Sequence, residues 1–230
     1  FYTEDFGNEF LIIYDCGSTN ISHLEAQIVK YFKRIKRTII DAIFISHLHT
    51  DHVNGLEFLL KNYKVKKIFL PLLTEQEKIN LIVQNHLKGN ASPFITTLIG
   101  ASGPTIPNGE TQLLFVPKKA DDIQISIEES PLIIDGNITS SDLTNNDKLS
   151  SSKIQMGWVF IPYNYNYSKN NDVLMAELRK AEITFSTISE FSEQWKNQKE
   201  RNKIIEIYEA VPGSLNSNSM TLYSGKDIED

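Results

Sequence analysis

The sequence predicts an α/β fold in one domain that spans residues 1–230, and two observations lead to this prediction. Short apolar runs typical of strands alternate with segments of helical periodicity between residues 10 and 88, which is a βαβα order. The chain has 230 residues, of which 40% are hydrophobic and 10% aromatic. A chain of this size and composition can bury a full core.

The elements of the first half follow from the spacing of apolar residues. Short, β-branched runs predict strands at 10–15, 40–46 and 67–71. Apolar residues at helical spacing predict helices at 21–35, 53–62 and 75–88. A turn-rich stretch at 100–109 follows, and two further strands are expected near 112–117 and 123–127.

The second half is expected to be less regular. Residues 135–152 are rich in Ser and Asn and poor in apolar side chains, which predicts a disordered surface loop. A strand is expected at 153–161, and an aromatic cluster at 162–167 either lines a groove or caps the core. Helical segments at 172–180 and 190–209 form a predicted helical insertion, 172–209, that covers the site or binds a protein partner. A strand and its turn are expected at 219–225.

The most informative segment lies at the end of the predicted strand 40–46. Here His47, His49, Asp51 and His52 occur within six residues, just before a predicted helix. Imidazole nitrogen and carboxylate oxygen are ligands of Zn²⁺ and similar cations, whereas structural zinc sites usually use thiolates. Because the chain has one cysteine, the segment predicts a catalytic metal ion.

The local geometry of the segment predicts the direction in which each of its side chains points. Extended chain has a side-chain period of two, so His47 and His49 point the same way while His52 turns elsewhere as the helix begins. That arrangement suits two neighbouring ions. Asp51 could cap the helix, bind metal or orient a metal-bound water, and these roles compete for the same oxygens. The alternative is a surface loop of solvated histidines.

The order of strand, His-x-His-x-Asp-His and helix resembles the signature of the metallo-β-lactamase-fold hydrolases. The earlier strand that ends in Asp15-x-Gly17 resembles a second motif of that superfamily. The resemblance implies an αββα sandwich with the site at one edge. It also implies that His47 and His49 bind a first ion, that Asp51 and His52 bind a second, and that Asp15 supports the site from behind.

The resemblance also predicts that this site is incomplete. Members of the superfamily add ligands from their second half, yet no histidine follows His86. Residues 216–225 resemble the Asn-x-x-Ser strand of the competence-type branch, typified by DNA-uptake proteins, in which the last metal motifs come soon afterwards. The chain is therefore expected to be a C-terminally incomplete fragment, with a degenerate site as the alternative.

The function implied by the resemblance is metal-dependent hydrolysis. Two ions, Zn²⁺ with Mn²⁺ or Fe as alternatives, would generate a hydroxide from bound water, and Asp51 would orient it. The competence-type likeness favours phosphodiester substrates, small molecules or nucleic acid, and the fragment alone is expected to be inactive. Thioesters, lactams and lactones are alternative substrates, and a diverged non-catalytic metal-binding or interaction module is an alternative function.

Charge and cysteine content restrict the function and the cellular compartment of the protein. The chain has 23 basic and 29 acidic residues, a net charge of −6, which argues against a nonspecific grip on nucleic acid. Basic residues crowd two helix ends, where they are either solvated or form a phosphate track. Cys16 is the single cysteine, which suits a reducing compartment. With no apolar run long enough to span a membrane, a cytoplasmic protein is expected.

Overall fold

Two β-sheets organise the computed structural model of this protein. The structure describes residues 1–7, 9–87, 89, 92–100, 106, 110–118, 130–144, 147–154, 157–164, 169–211 and 220–227. The internal contacts divide the chain into two compact units. One unit comprises Phe1–Leu72, Ser102–Tyr165 and Ser219–Asp230, and the other comprises Leu73–Ala101 and Asn166–Asn218.

The first sheet belongs to the first unit and has five strands in chain order. The strands are β1 (Tyr2–Asp5), β2 (Leu11–Tyr14), β3 (Ile39–Phe44), β4 (Lys64–Pro71) and β5 (Gln112–Val116). Strand β1 pairs antiparallel with β2, and the pairings from β2 to β5 are parallel. Parallel neighbours bring their carboxyl ends to one edge of the sheet, so loops that follow β2 and β3 lie side by side.

The second sheet has four strands, also in chain order. They are β6 (Leu132–Ile133), β7 (Leu149–Ser150), β8 (Trp158–Asn164) and β9 (Met220–Lys226). Strand β6 is parallel to β7, while β8 is antiparallel to both β7 and β9. The longest pairing joins β8 to β9, from Trp158 opposite Lys226 to Asn164 opposite Met220.

An apolar layer joins the two sheets. Phe44 of β3 stacks on Phe69 of β4 with ring centroids 4.5 Å apart, and its ring lies 6.2 Å from that of Phe160 on β8. All three side chains are fully buried. The same layer contains Phe10, Ile12, Ala42, Leu114, Val116, Ile134, Ile138, Leu143, Leu149 and Met220. Burial of apolar surface in this layer is the main force that holds the sheets together.

The opposite face of the first sheet is also buried. Ile13, Ile43 and Ile68 are register partners on neighbouring strands and alternate with the inner residues, and none of them is exposed. This unit contains the helices α1 (Ile21–Ile35), α2 (Thr50–Val53) and α3 (Leu56–Asn62).

Helix α1 shows why the local sequence forms these elements. Its buried residues Leu24, Ile28 and Phe32 recur every fourth position and so share one face of the helix. The Asn20 side chain caps the first turn by accepting a hydrogen bond from the His23 backbone N–H, and Lys36 ends the helix in a left-handed conformation. The predicted helix 21–35 is confirmed.

Part of the basic sequence at the helix ends has a structural role. Asp41 of β3 is buried and accepts hydrogen bonds from the Leu11 backbone N–H and from the side chains of Arg37 and Lys66. Arg37 also pairs with Asp5 of β1. A buried carboxylate needs such partners, because an unpaired charge in the interior is costly. These two cations therefore stabilise the strand ends.

The second unit is helical. Its helices are α4 (Glu75–Leu87), α5 (Pro93–Gly100), α6 (Lys169–Lys180), α7 (Ile188–Lys196) and α8 (Gln198–Ala210). The buried Phe191 ring lies 5.2 Å from Phe185 and 5.1 Å from Trp195 between centroids. The Glu75 carboxylate of α4 accepts a hydrogen bond from the Ile188 backbone N–H, which ties α4 to the first turn of α7. The unit thus includes the predicted insertion 172–209 together with residues 73–101.

The described elements differ from the predicted ones at several points. The predicted helix 190–209 is two helices, because Asn197 adopts an extended backbone and caps α8 with its side chain. Strand β1 and helix α5 were not predicted. The expected strand 123–127 lies outside the described residues.

The prediction that 135–152 is a disordered loop was wrong for its described part. This part contains strand β7 and a 3₁₀ turn at Ser140–Asp142, whose start is closed by a capping box between Thr139 and Asp142. Leu143 and Leu149 are buried in the layer between the sheets. Local side-chain hydrogen bonds and a few well-spaced apolar residues order a segment whose average composition suggests disorder.

The sequence contains no apolar run long enough to span a membrane, and the helices of the structure can be compared with that expectation. Within the described ranges, no helix combines the length and the apolar character needed to cross a bilayer.

Candidate histidine site

The carboxyl ends of β2 and β3 bring two loops together. The Asp15 backbone N–H donates to the Phe44 carbonyl over 2.9 Å, and the Ile45 N–H donates to the Phe69 carbonyl over 2.9 Å, which continues the parallel pairing past the strand ends. Asp15 therefore lies beside the segment 46–52. The sequence of each loop does not by itself predict that the two loops are close. They are close because β2 and β3 pair in parallel register.

Asp15 is the anchor of this edge. Its backbone has a φ of 53°, the left-handed region that non-glycine residues seldom adopt, and such strain is commonly found at functional sites. One carboxylate oxygen accepts the Ser46 backbone N–H over 2.7 Å. The other lies 2.6 Å from the Ser46 hydroxyl and 2.8 Å from His52 Nδ1. Asp15 thus contacts His52 directly, and its implied role behind a metal site stays a prediction.

The three histidine rings of the predicted site contact one another. The ring centroids of His47 and His52 are 3.7 Å apart, and those of His47 and His49 are 4.8 Å apart. The Ser46 hydroxyl lies 2.9 Å from His47 Nδ1. All three rings are partly buried. This differs from the alternative of separately solvated histidines, and it also differs from the expectation that His52 turns away from the other two.

Asp51 occupies a more exposed position than its neighbours. Helix α2 has His49 as its N-cap residue, so Asp51 lies in the first helical turn and is not the N-cap. Its side chain is 53% exposed, and its carboxylate lies 3.8 Å from His52 Nε2. A carboxylate in the first turn of a helix interacts favourably with the helix dipole.

Backbone contacts hold the two loops in register. Cys16 N–H donates to the His52 carbonyl over 2.8 Å, and Gly55 N–H donates to the Cys16 carbonyl over 2.9 Å. The Asn54 side chain both accepts the Ser18 N–H and donates to the Ser18 carbonyl. Burial raises the pKa of the Cys16 thiol to about 12, so this thiol stays protonated and acts as a small core side chain.

A late strand completes the site. Met220, the first residue of β9, donates its N–H to the Ser46 carbonyl over 2.6 Å and accepts a hydrogen bond from the Tyr14 hydroxyl over 2.9 Å. Burial raises the pKa of Tyr14, so its hydroxyl remains a donor at neutral pH. Sequence reasoning missed Ser46, Tyr14 and Met220. The resemblance of 216–225 was the only signal, and part of that segment lies outside the described residues.

The electrostatics of the cluster favour neutral imidazole at His47. Burial first, and then repulsion from the imidazolium charges of His52 and His49, together lower the pKa of His47 to about 4. At pH 7 His47 is therefore uncharged, and its ring can accept a proton, a hydrogen bond or a cation through one nitrogen.

We expect His47 to make folding stability depend on pH. An unfolded His47 titrates near 6.5, whereas the folded one titrates near 4, so between these values the unfolded chain binds the additional proton. The stability contributed by neutral His47 is fully present above pH 6.5 and is lost progressively as the pH falls toward 4. Urea unfolding measured from pH 4 to 7.5 should show this fall, and it should be smaller in His47→Gln. Equal pH dependence in the two proteins would contradict the low pKa.

Comparison with known proteins addresses the first part of the chain. Residues 3–94 match the family model of the anti-Pycsar protein Apyc1. The matched range contains Asp15, Ser46 and all four predicted ligands. No curated protein and no solved structure matches the chain.

The match corrects the predicted family. The chain was expected to be a metallo-β-lactamase-fold hydrolase of the competence-type branch, whereas the family model that it matches is that of Apyc1. The hydrolase family assignment is therefore wrong. The motifs behind it are short, and short motifs of His, Asp and Gly identify a local geometry more securely than a family.

The predicted two-ion hydrolase, leaning to phosphodiesters, is contradicted as well. In the described parts of the chain, no three or more His, Cys, Asp or Glu side chains are grouped so as to hold a metal ion. The physical reason lies in the exposure of one predicted ligand. The Asp51 side chain is 53% exposed, so its carboxylate lies largely in solvent. The prediction of a two-ion hydrolase is therefore wrong.

Proposed function

We propose that this protein counteracts the Pycsar system and that the histidine cluster His47, His49 and His52 is its working site. The supporting observation is the match of residues 3–94 to the family of the anti-Pycsar protein Apyc1, a family related to anti-phage defence. The matched range contains the segment that builds the cluster, from β2 through α3, and continues to residue 94.

We further propose that the protein acts as an enzyme. His52 Nδ1 lies 2.8 Å from the Asp15 carboxylate, an arrangement that orients an imidazole. Its side chain is 31% exposed, so part of the ring reaches solvent. An oriented, partly exposed imidazole beside the neutral imidazole of His47 suits proton transfer. His52 is the base in this proposal, and His47 is its neighbour.

The layered architecture is proposed in finer detail as an αββα sandwich. Its support is the apolar layer shared by the two sheets and the buried outer face of the first sheet, with α3 in contact with β4. Parallel strands buried on both faces are characteristic of layered α/β proteins. The edge that carries the site is the carboxyl edge of β2 and β3, where such folds commonly bind their ligands.

The proposal predicts that single histidine substitutions abolish counter-defence. The full chain is expressed in bacteria that carry a functional Pycsar system and are challenged with a phage that the system restricts. We expect the wild type to restore plaque formation, and His52→Ala to reduce it by about 100-fold or more, as losing a general base does. His49→Ala removes the ring that contacts His47 and should also reduce plaque formation. Plaque counts give the measurement.

The matched control is His23→Ala, since His23 is an exposed residue on α1 that lies apart from the cluster in the sequence. It should behave like the wild type. A folded wild type that leaves plaque counts unchanged would contradict the counter-defence function. Full activity of both cluster variants would contradict the enzyme proposal and favour the alternative of a non-catalytic interaction module.

Two further sequence predictions stay predictions. One is a bound ion at the cluster, Zn²⁺ or else Mn²⁺ or Fe, which elemental analysis of the purified protein measures. The other is a protein partner of residues 172–209. Helices α7 and α8 of this segment carry exposed ion pairs such as Lys196 with Glu193 and Lys203 with Glu200, which are surface features of small energetic effect.

A further inference from the structure

The Ser46 hydroxyl lies at the centre of the polar contacts of the site. It is 2.6 Å from Asp15 Oδ2, 2.9 Å from His47 Nδ1 and 3.3 Å from His52 Nδ1. Its residue is only 5% exposed. The backbone on both sides of the hydroxyl is also held, because the Ser46 N–H donates to Asp15 and the Ser46 carbonyl accepts from Met220. The position of the hydroxyl is therefore determined by four neighbours.

Proton counting limits how these contacts can be made. A serine hydroxyl has one proton to donate, and an ionised carboxylate has none. The 2.6 Å contact to Asp15 is the shortest that the hydroxyl makes with these side chains, and a hydrogen bond to a charged acceptor is stronger than one to a neutral acceptor. The phenol of Tyr14 is also near Ser46, but it is neutral and donates its own proton to the Met220 carbonyl. The Ser46 proton thus belongs to the hydrogen bond with Asp15.

The remaining contacts then have one direction each. Because Ser46 donates its proton to Asp15, its oxygen can only act as the acceptor in the 2.9 Å contact with His47 Nδ1. The hydrogen of that contact must therefore be on His47 Nδ1. The Asp15 carboxylate can only accept at 2.8 Å, and His52 Nδ1 must likewise carry a hydrogen. In a neutral imidazole a proton on Nδ1 leaves the lone pair on Nε2.

We infer that Ser46 is a positioning residue that selects the Nδ1-protonated tautomer of His47 and, through Asp15, supports the same tautomer of His52. Both rings then present the Nε2 lone pair as the acceptor for a proton, a hydrogen-bond donor or a cation. The inference rests on the proposed function only in treating this cluster as the working site. The tautomers themselves follow from the hydrogen bonds.

The assignment matters for chemistry because the two tautomers of His47 offer different atoms. Removing the hydroxyl takes away the described acceptor of the Nδ1 hydrogen, and leaving a buried donor without an acceptor is costly. The ring is then free to move its proton to Nε2. His47 would present a donor where the wild type presents an acceptor, although the shape and charge of the ring would be unchanged.

Nuclear magnetic resonance tests the inference through the ring nitrogens. In protein labelled with ¹⁵N-histidine at pH 7.5, we expect His47 and His52 to show a protonated Nδ1 and an unprotonated Nε2. In Ser46→Ala we expect His47 to lose its single tautomer and show the averaged signals of two. His47→Gln and His52→Gln assign the resonances, since the chain has five histidines. Counter-defence activity should fall by about 10- to 100-fold, as supporting hydrogen bonds of functional imidazoles commonly contribute.

Two variants separate this role from a general packing effect. Ser46→Thr keeps the hydroxyl and should restore the single tautomer of His47, even if the added methyl lowers stability. Ser151→Ala removes a hydroxyl from another buried serine, which is 4% exposed, and should leave both histidines unchanged. Backbone amide spectra of each variant report whether the fold is intact.

The outcomes are distinguishable from those of the functional proposal. A protonated Nε2 on His47 of the wild type, or an unchanged tautomer in folded Ser46→Ala, would overturn the inference. If Ser46→Ala does not fold, the wild-type and Ser46→Thr spectra still decide the tautomer. A wild type with the expected tautomers but without counter-defence activity would contradict the proposed function and leave the role of Ser46 standing.

Discussion

Gly17→Ala is expected to disrupt the histidine site and to destabilise the fold by about 3 kcal/mol or more, the upper range for overpacking. An ideal Cβ at Gly17 would lie 2.4 Å from the Asp51 carbonyl carbon and oxygen and 2.5 Å from the His52 carbonyl carbon. These atoms belong to backbone, which cannot move aside as a flexible side chain can. Urea unfolding measures the loss of stability, and the histidine resonances measure the disruption of the site.

Gly100→Ala is the matched control for this prediction. A Cβ at Gly100 would meet only the Ile188 Cδ1 at 3.8 Å, an ordinary contact at the end of helix α5. Alanine is the better helix former, so we expect a change of about 1 kcal/mol or less and unchanged histidine signals. Equal stability of the two variants would show that the loops after β2 and β3 are not packed as closely as described.

Phe44→Ala is expected to have the largest effect on stability among substitutions in the apolar layer. Phe44 is fully buried, stacks on Phe69 and approaches Phe160, so its ring joins the first sheet to the second. Truncation leaves a cavity between the sheets and removes aromatic contacts, which together cost about 3–5 kcal/mol. The free energy of unfolding from urea denaturation is the measurement.

The control for Phe44 is an apolar side chain that already lies in water. Val29 of α1 is 48% exposed, and Val29→Ala should change the free energy of unfolding by about 0.5 kcal/mol or less. If Phe44→Ala cost no more than Val29→Ala, the layer between the two sheets would not be the core of this unit.

Elements with a strong local signal could be predicted from the sequence. Helix α1 has its apolar face, its N-cap residue Asn20 and its basic last turn within one segment, and its predicted bounds are the observed ones. Strand β3 has a run of β-branched residues that few other structures accommodate. In both cases the energy that selects the element comes from residues only a few positions apart.

Elements that depend on distant partners could not be predicted. Strand β1 is short and polar, and its hydrogen bonds come from β2 across an intervening turn. Strand β7 has two residues and is ordered by its neighbours β6 and β8. The break between α7 and α8 at Asn197 was missed for a different reason. The apolar periodicity is helical on both sides of Asn197, and only the capping of α8 by its side chain marks the boundary.

Part of the functional site could likewise be predicted from the sequence, and part could not. Three histidines within six residues mark a site by local density alone, and the sequence identifies them without any fold. The same local pattern suggested the two-ion hydrolase, which the family match and the grouping of the described side chains contradict. Residue types indicate which chemistry is available, whereas the hydrogen bonds of each ring decide which atom is offered.

The sequence by itself determined where the histidine cluster lies and that it follows a buried strand, because both depend on neighbouring residues. Only the tertiary structure decided that Asp15 and Ser46 hold His47 and His52 and that Met220 closes the site. Met220 is 174 positions beyond Ser46 in the chain. Contacts across such separations arise from the packing of two sheets and from parallel register, which no local pattern specifies.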